Sequence, residues 1–149
     1  MVLCVRYTKE PNVRPDHKVA FEAMTIPSVA YTAPEIAWMG VTTAKSKGIP
    51  FEKASFPWAA SGRALAMAHE DGLTKLLWDP TTKRIIGAGI VGVNAVELLA
   101  ETVLAMEMGA DLEDLALTIH AHPALSETPM FAAEMGLGSI TDLYIPPKK

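Results

Sequence analysis

The apolar and polar positions change period several times along the chain, and each change marks an element. "IPSVAYT", from Ile26, is short and rich in β-formers and predicts a strand. "APEIAWMG", with Pro34 near its start and Gly40 past its end, predicts a short helix. "PFEKASFPW" alternates, so a strand is expected there, and Pro57, which has no N–H to donate, confines its end to a sheet edge or a bulge. "SGRALAMAH" predicts a turn or two of helix. The strongest local signal is a hairpin: "GLTKLLWD", the turn residues "PTTK", then "RIIGAGIVG", two strands expected to pair antiparallel.

The second half reads as helical. Asn94 is placed to cap "AVELLAETVLAMEM", with Glu97 completing a capping box and Gly109 as the stop. Glu97, Glu101 and Glu107 form a narrow polar stripe, while Val96, Leu98, Leu99, Val103, Leu104, Met106 and Met108 cover the rest, so this helix needs neighbours on more than one side. Asp111 opens a second helix, "LEDLALTI", with Glu113 and Asp114 in the first turn, where the helix dipole favours them. "MFAAEMG" predicts a last helix ending at Gly136 and Gly138, and "SITDLYIPPKK" is a tail. Residues 1–25, with Pro11, Pro15 and one periodic piece, "HKVAFEAM", read as an arm or the remnant of a preceding region; residues 26–149 read as one domain. A dominant hairpin without regular strand–helix alternation favours an α+β fold, an antiparallel sheet flanked by helices.

Composition narrows the function. The chain has 149 residues, 50% of them hydrophobic and 20% charged, and its mean hydropathy is +0.20, so apolar surface is expected to remain for self-association. A net charge of −4, with no basic run beyond Lys148 and Lys149, lacks the footprint that nucleic acid demands. No apolar run has the length of a membrane span or a signal peptide, so an intracellular, soluble protein is expected. The single cysteine, Cys4, has no internal partner and reads as an incidental thiol.

Two stretches carry candidate chemistry. Gly87, Gly89 and Gly92 spell G-x-G-x-x-G between a strand and a helix, but that strand arrives by a tight hairpin and the βα units of a dinucleotide fold are missing. The glycines are better read as places where a twisted strand bends or meets another backbone closely. In "HAHPALSE", Pro123 biases His122 toward an extended conformation, and Glu127 lies within reach of a turn. Such a pair fixes the ring tautomer and suits the imidazole to act as a base toward a thiol. The same spacing also serves a polar corner between helices. A metal site begun by His120 and His122 would need further ligands, and His17 and His69 stand apart.

"HAHPALSE" also resembles the histidine motif that closes the pyridine nucleotide-disulfide oxidoreductases. "VAYTAPEIAWMG", "FPWAASGRALA", "DGLTKLLWDPTTKRIIGAGIVG", "AVELLAE", "AMEMGADLEDLALTIHAHP" and "GSITDLY" resemble, in order, the dihydrolipoamide dehydrogenase family, from about Ile26 to Tyr144. The resemblance implies a C-terminal interface domain through which two subunits form a homodimer. His122 matches the acid/base histidine and Glu127 the carboxylate that orients it, both serving the disulfide and FAD of the partner subunit in NAD-dependent oxidation of dihydrolipoyl groups. FAD and NAD belong to the full-length enzyme. None is expected on this chain alone, which lacks those domains and the C-x4-C pair and is expected to be inactive by itself. Ala124 stands where the family usually has threonine, and Pro129 falls in the following helix. A second class of function is a non-catalytic dimerisation or docking module, its acidic turn of Asp111, Glu113 and Asp114 receiving the basic subunit-binding domain of a 2-oxo acid dehydrogenase acyltransferase. The resemblance implies the cytoplasm, or the mitochondrial matrix in a eukaryote.

Overall fold

A computed structural model describes residues 23–41 and 48–144. Cys4, His17 and most of "HKVAFEAM" lie outside the described residues.

The strands are β1 (Ser28–Ala30), β2 (Glu35–Gly40), β3 (Glu52–Pro57), β4 (Leu73–Trp78) and β5 (Ile85–Gly92). They form one five-stranded sheet in the order β1-β2-β5-β4-β3, with every pair antiparallel. The β4–β5 hairpin supplies the middle of the sheet, with Leu76 opposite Ala88 and a register shift at Leu77/Trp78. β3 is an edge strand, where the missing N–H of Pro57 costs least. After β3 come a 3-10 turn, Trp58–Ala60, and the short helix α1 (Gly62–Ala66), whose N-cap Ser61 accepts from the Ala64 N–H.

Three helices follow the hairpin: α2 (Ala95–Glu107), α3 (Leu112–Leu117) and α4 (Glu127–Leu137). α2 packs over β2 and β5, and α4 over β3 and β4 with α3 alongside. Alternation puts Ala37, Met39, Phe56, Thr74, Leu76, Trp78, Ala88 and Ile90 on the face beneath them, all buried. The rings of Phe56 and Phe131, 4.9 Å between centroids, tie β3 to α4. The fold is α+β, an antiparallel sheet flanked by helices.

Four local expectations need correction. "APEIAWMG" is strand β2, not a helix: Ala37 and Met39 enter the core while Ile36 and Trp38 face away, so apolar residues on both faces hid the period of two. Gly40 ends that strand at φ +72°, where a Cβ would run into the Ile86 carbonyl, so the glycine permits a close strand approach instead of stopping a helix. Asn94 does occupy the N-cap of α2, but it is left-handed and its side chain makes no cap bond, so the capping box with Glu97 is not formed. The Glu35 carboxylate accepts from the Val96 N–H at 3.3 Å in its place. Finally, α3 ends at Leu117, sooner than expected, and α4 begins at Glu127, three residues before Met130.

Candidate functional site

The segment between α3 and α4 is built from its two ends. Asp111 and Asp114 close a capping box at the start of α3, each carboxylate accepting from backbone N–H groups, and Thr118 ends the helix in an extended conformation. At the other end Glu127 is the first residue of α4, its side chain 7% exposed. Its Oε1 lies 2.8 Å from His122 Nδ1, and its Oε2 accepts from the Ala124 N–H at 2.7 Å. One carboxylate therefore closes the corner at two points. An ionised carboxylate only accepts, so this contact places a hydrogen on His122 Nδ1, and in the neutral ring Nε2 then keeps the lone pair. The His122 side chain is 73% exposed, and Nε2 has no hydrogen bond among the described residues.

The two departures from the resembled pattern leave this geometry intact. Ala124 contributes its main-chain N–H, which any residue but proline provides. Pro129 falls in the first turn of α4, where a backbone N–H has no intrahelical partner to lose. That turn is pinned to the sheet by a buried chain of hydrogen bonds: Trp58 Nε1 donates to Thr74 Oγ1 at 2.9 Å, and the Thr74 and Thr128 hydroxyls lie 2.8 Å apart. Glu127 is thus fixed by its immediate neighbour.

The sequence reading missed the role of His120. Its ring, 8% exposed, places Nε2 2.7 Å from Glu101 Oε1 on α2 and Nδ1 2.8 Å from the Thr118 carbonyl. Glu101 is one of three glutamates in the polar stripe of α2, and nothing local linked it to a histidine 19 positions later. His69 lies elsewhere, in a cleft of about 390 Å³ shared with Glu35, Asp71 and Asn94. Among the described residues no three His, Cys, Asp or Glu side chains converge as metal ligands.

The G-x-G-x-x-G glycines do not build a dinucleotide cradle. Gly87, Gly89 and Gly92 lie inside β5, between β2 and β4, and not in a turn feeding a helix. Gly92, at φ +149°, makes room for the buried Trp58 ring, which a Cβ there would strike. Apolar side chains are exposed in the chain leading to the site: Leu104 on α2, Met108 at its C-cap, then Leu117 and Ile119, the last 96% exposed.

The chain is thus a helix-backed antiparallel sheet with a carboxylate-held imidazole projecting from the segment between α3 and α4. The chain belongs to the family described as pyridine nucleotide-disulphide oxidoreductase, dimerisation domain, which matches residues 26–133. Its relatives include the dihydrolipoyl dehydrogenase of Vibrio parahaemolyticus, 59% identical over 125 residues that make up 83% of this chain and 26% of that protein. That of Geobacillus stearothermophilus is 47% identical, covering 83% of this chain and 27% of the relative. Among solved structures, RclA of Escherichia coli, an HOCl-induced flavoprotein disulfide reductase, aligns with a TM-score of 0.70 at 26% identity, over 74% of this chain and 26% of that one. LpdA of Mycobacterium tuberculosis aligns with a TM-score of 0.73 at 24% identity, over 78% and 26% respectively, and shows the shared fold. The chain thus spans about a quarter of the length of the curated relatives it matches.

Proposed function

We propose that this chain is the interface portion of a homodimeric, NAD-dependent dihydrolipoyl dehydrogenase, and that His122 with Glu127 is the acid/base pair it lends to the partner subunit. The observation that carries this reading is the exposed His122 ring held at Nδ1 by a nearly buried carboxylate. With Nδ1 engaged, Nε2 is the atom that takes a proton from a substrate thiol, and Glu127 stabilises the imidazolium that results. Among the described residues nothing completes a site around Nε2, so the reading places the redox disulfide, FAD and NAD in the remaining three quarters of the enzyme. The exposed Leu104, Met108, Leu117 and Ile119 are the apolar surface we assign to contact with the second copy.

The test is a chimera in which residues 26–144 replace the matching region of the Vibrio parahaemolyticus relative. His122→Gln in that chimera is expected to lower turnover of dihydrolipoamide by about 10²- to 10⁴-fold with flavin retained, the range for loss of a positioned base. Glu127→Gln is expected to lower it less. Turnover unchanged by His122→Gln would refute the assignment.

The docking reading, with an acyltransferase subunit-binding domain at Asp111, Glu113 and Asp114, has weaker support. Two of those carboxylates, Asp111 and Asp114, are already engaged in the α3 capping box, which is reason enough for an acidic first turn.

A further inference from the structure

We propose that His120 and Glu101 act as positioning residues for His122, a clamp that fixes the segment carrying it to α2. It rests on the reading of His122 as the acid/base group. Alternation along an extended segment sends residues two apart to the same side, yet the rings of His120 and His122 are 8% and 73% exposed. The chain bends at His122 and Pro123, just past His120, and something must hold the bend. Backbone hydrogen bonds do not: among the described residues, positions 119–123 make none through their main chain. The tethers are two side-chain contacts to two helices, His120 to Glu101 on α2 and His122 to Glu127 on α4.

The His120 contact is built to hold a direction. The Thr118 carbonyl only accepts, so Nδ1 carries hydrogen. Nε2 then faces a carboxyl oxygen at 2.7 Å, a contact that needs a proton between the two atoms. Both ring nitrogens are occupied, and the ring plane is fixed by anchors on opposite edges. The turn out of α3 is thereby attached to the helix that covers β2 and β5, while Glu127 is attached through α4 to β3 and β4. His122 sits where these two supports meet. A histidine with only Glu127 to hold it would lose the backbone path that aims Nε2 outward and keeps Nδ1 on the carboxylate, so its ring could turn either nitrogen to Glu127.

The experiment uses the 149-residue chain. Long-range 1H–15N spectra of the histidine rings, recorded where His122 is neutral, report the tautomer of each ring. In the unmodified chain His122 and His120 are both expected to carry hydrogen at Nδ1. Glu101→Ala and His120→Ala are expected to shift His122 toward a mixture of tautomers, while Glu101→Gln, whose amide can donate to Nε2 of a neutral His120, restores the parent His122 signals. A residue that merely added stability would lower the melting temperature and leave the His122 tautomer in place. An unchanged His122 spectrum in folded alanine variants overturns the clamp. Should those variants not fold, the unmodified chain decides it: a His120 ring without hydrogen at Nδ1 overturns the clamp, and one with it, together with parent-like His122 signals in Glu101→Gln, upholds it. Ring spectra test the clamp and turnover of the chimera tests the role of His122, so either can fail without the other.

Discussion

Glu127 shows how much one buried carboxylate can organise. It satisfies the Ala124 N–H, sets the His122 tautomer and begins α4, where the helix dipole favours its charge. The pair was legible in the sequence because its members are five positions apart across a proline corner; the His120–Glu101 pair was not, because its members come from separate elements. Asp79 illustrates a carboxylate with a local task. In the β4–β5 turn it accepts from the backbone N–H groups of Thr82 and Thr81, and these bonds, aided by the Thr82 hydroxyl and nearby Lys83, hold its carboxyl below the ordinary value of 3.8. A depressed value in the folded state means that the native chain binds fewer protons there than the unfolded chain. The stabilisation is present above that ordinary value and is lost as pH falls through the folded one. Asp79→Asn is therefore expected to be less stable than the parent at neutral pH, with the difference closing in strong acid. Urea denaturation across that pH range checks it, and a difference that stays constant with pH would contradict it.

Elements were legible where periodicity and length agreed. The hairpin, the edge position of β3 and the long α2 follow from alternation, Pro57 and Gly109. β2 was misread because its two faces are both apolar, and the site helix α4 begins three residues before the expected Met130, with Pro129 accommodated in its first turn. The glycines of β5 could not be assigned without their neighbours. Trp58 lies between Gly72 and Gly92, and a Cβ at either would strike the indole. Trp58 in turn starts the hydrogen-bonded chain through Thr74 to Thr128, beside Glu127. Gly92→Ala is expected to cost about 1–3 kcal/mol by overpacking, with further strain from its positive φ. Thermal unfolding measures this. A melting temperature equal to the parent's would show that the indole is not confined as described.

At the scale of the molecule, α2 and α4 cover one face of the sheet, and the segment after α3 projects His122, whose Nε2 has no hydrogen bond among the described residues. The fold class and the family were legible because many blocks recur in order, whereas the exposed apolar surface we assign to the second copy was not, since exposure emerges only from packing. Leu104, Met108, Leu117 and Ile119 show nothing in sequence that separates them from core residues. The central claim is that His122 acts across a subunit boundary. It is tested most directly by expressing two chimeras together, one carrying His122→Gln and the other carrying intact His122 but an inactivated flavin-binding portion. Each has little or no activity by itself, and the mixed dimer is predicted to turn over dihydrolipoamide well above either, because the intact histidine of one subunit completes the intact redox half of the other. Mixed dimers that form but stay inactive would contradict it.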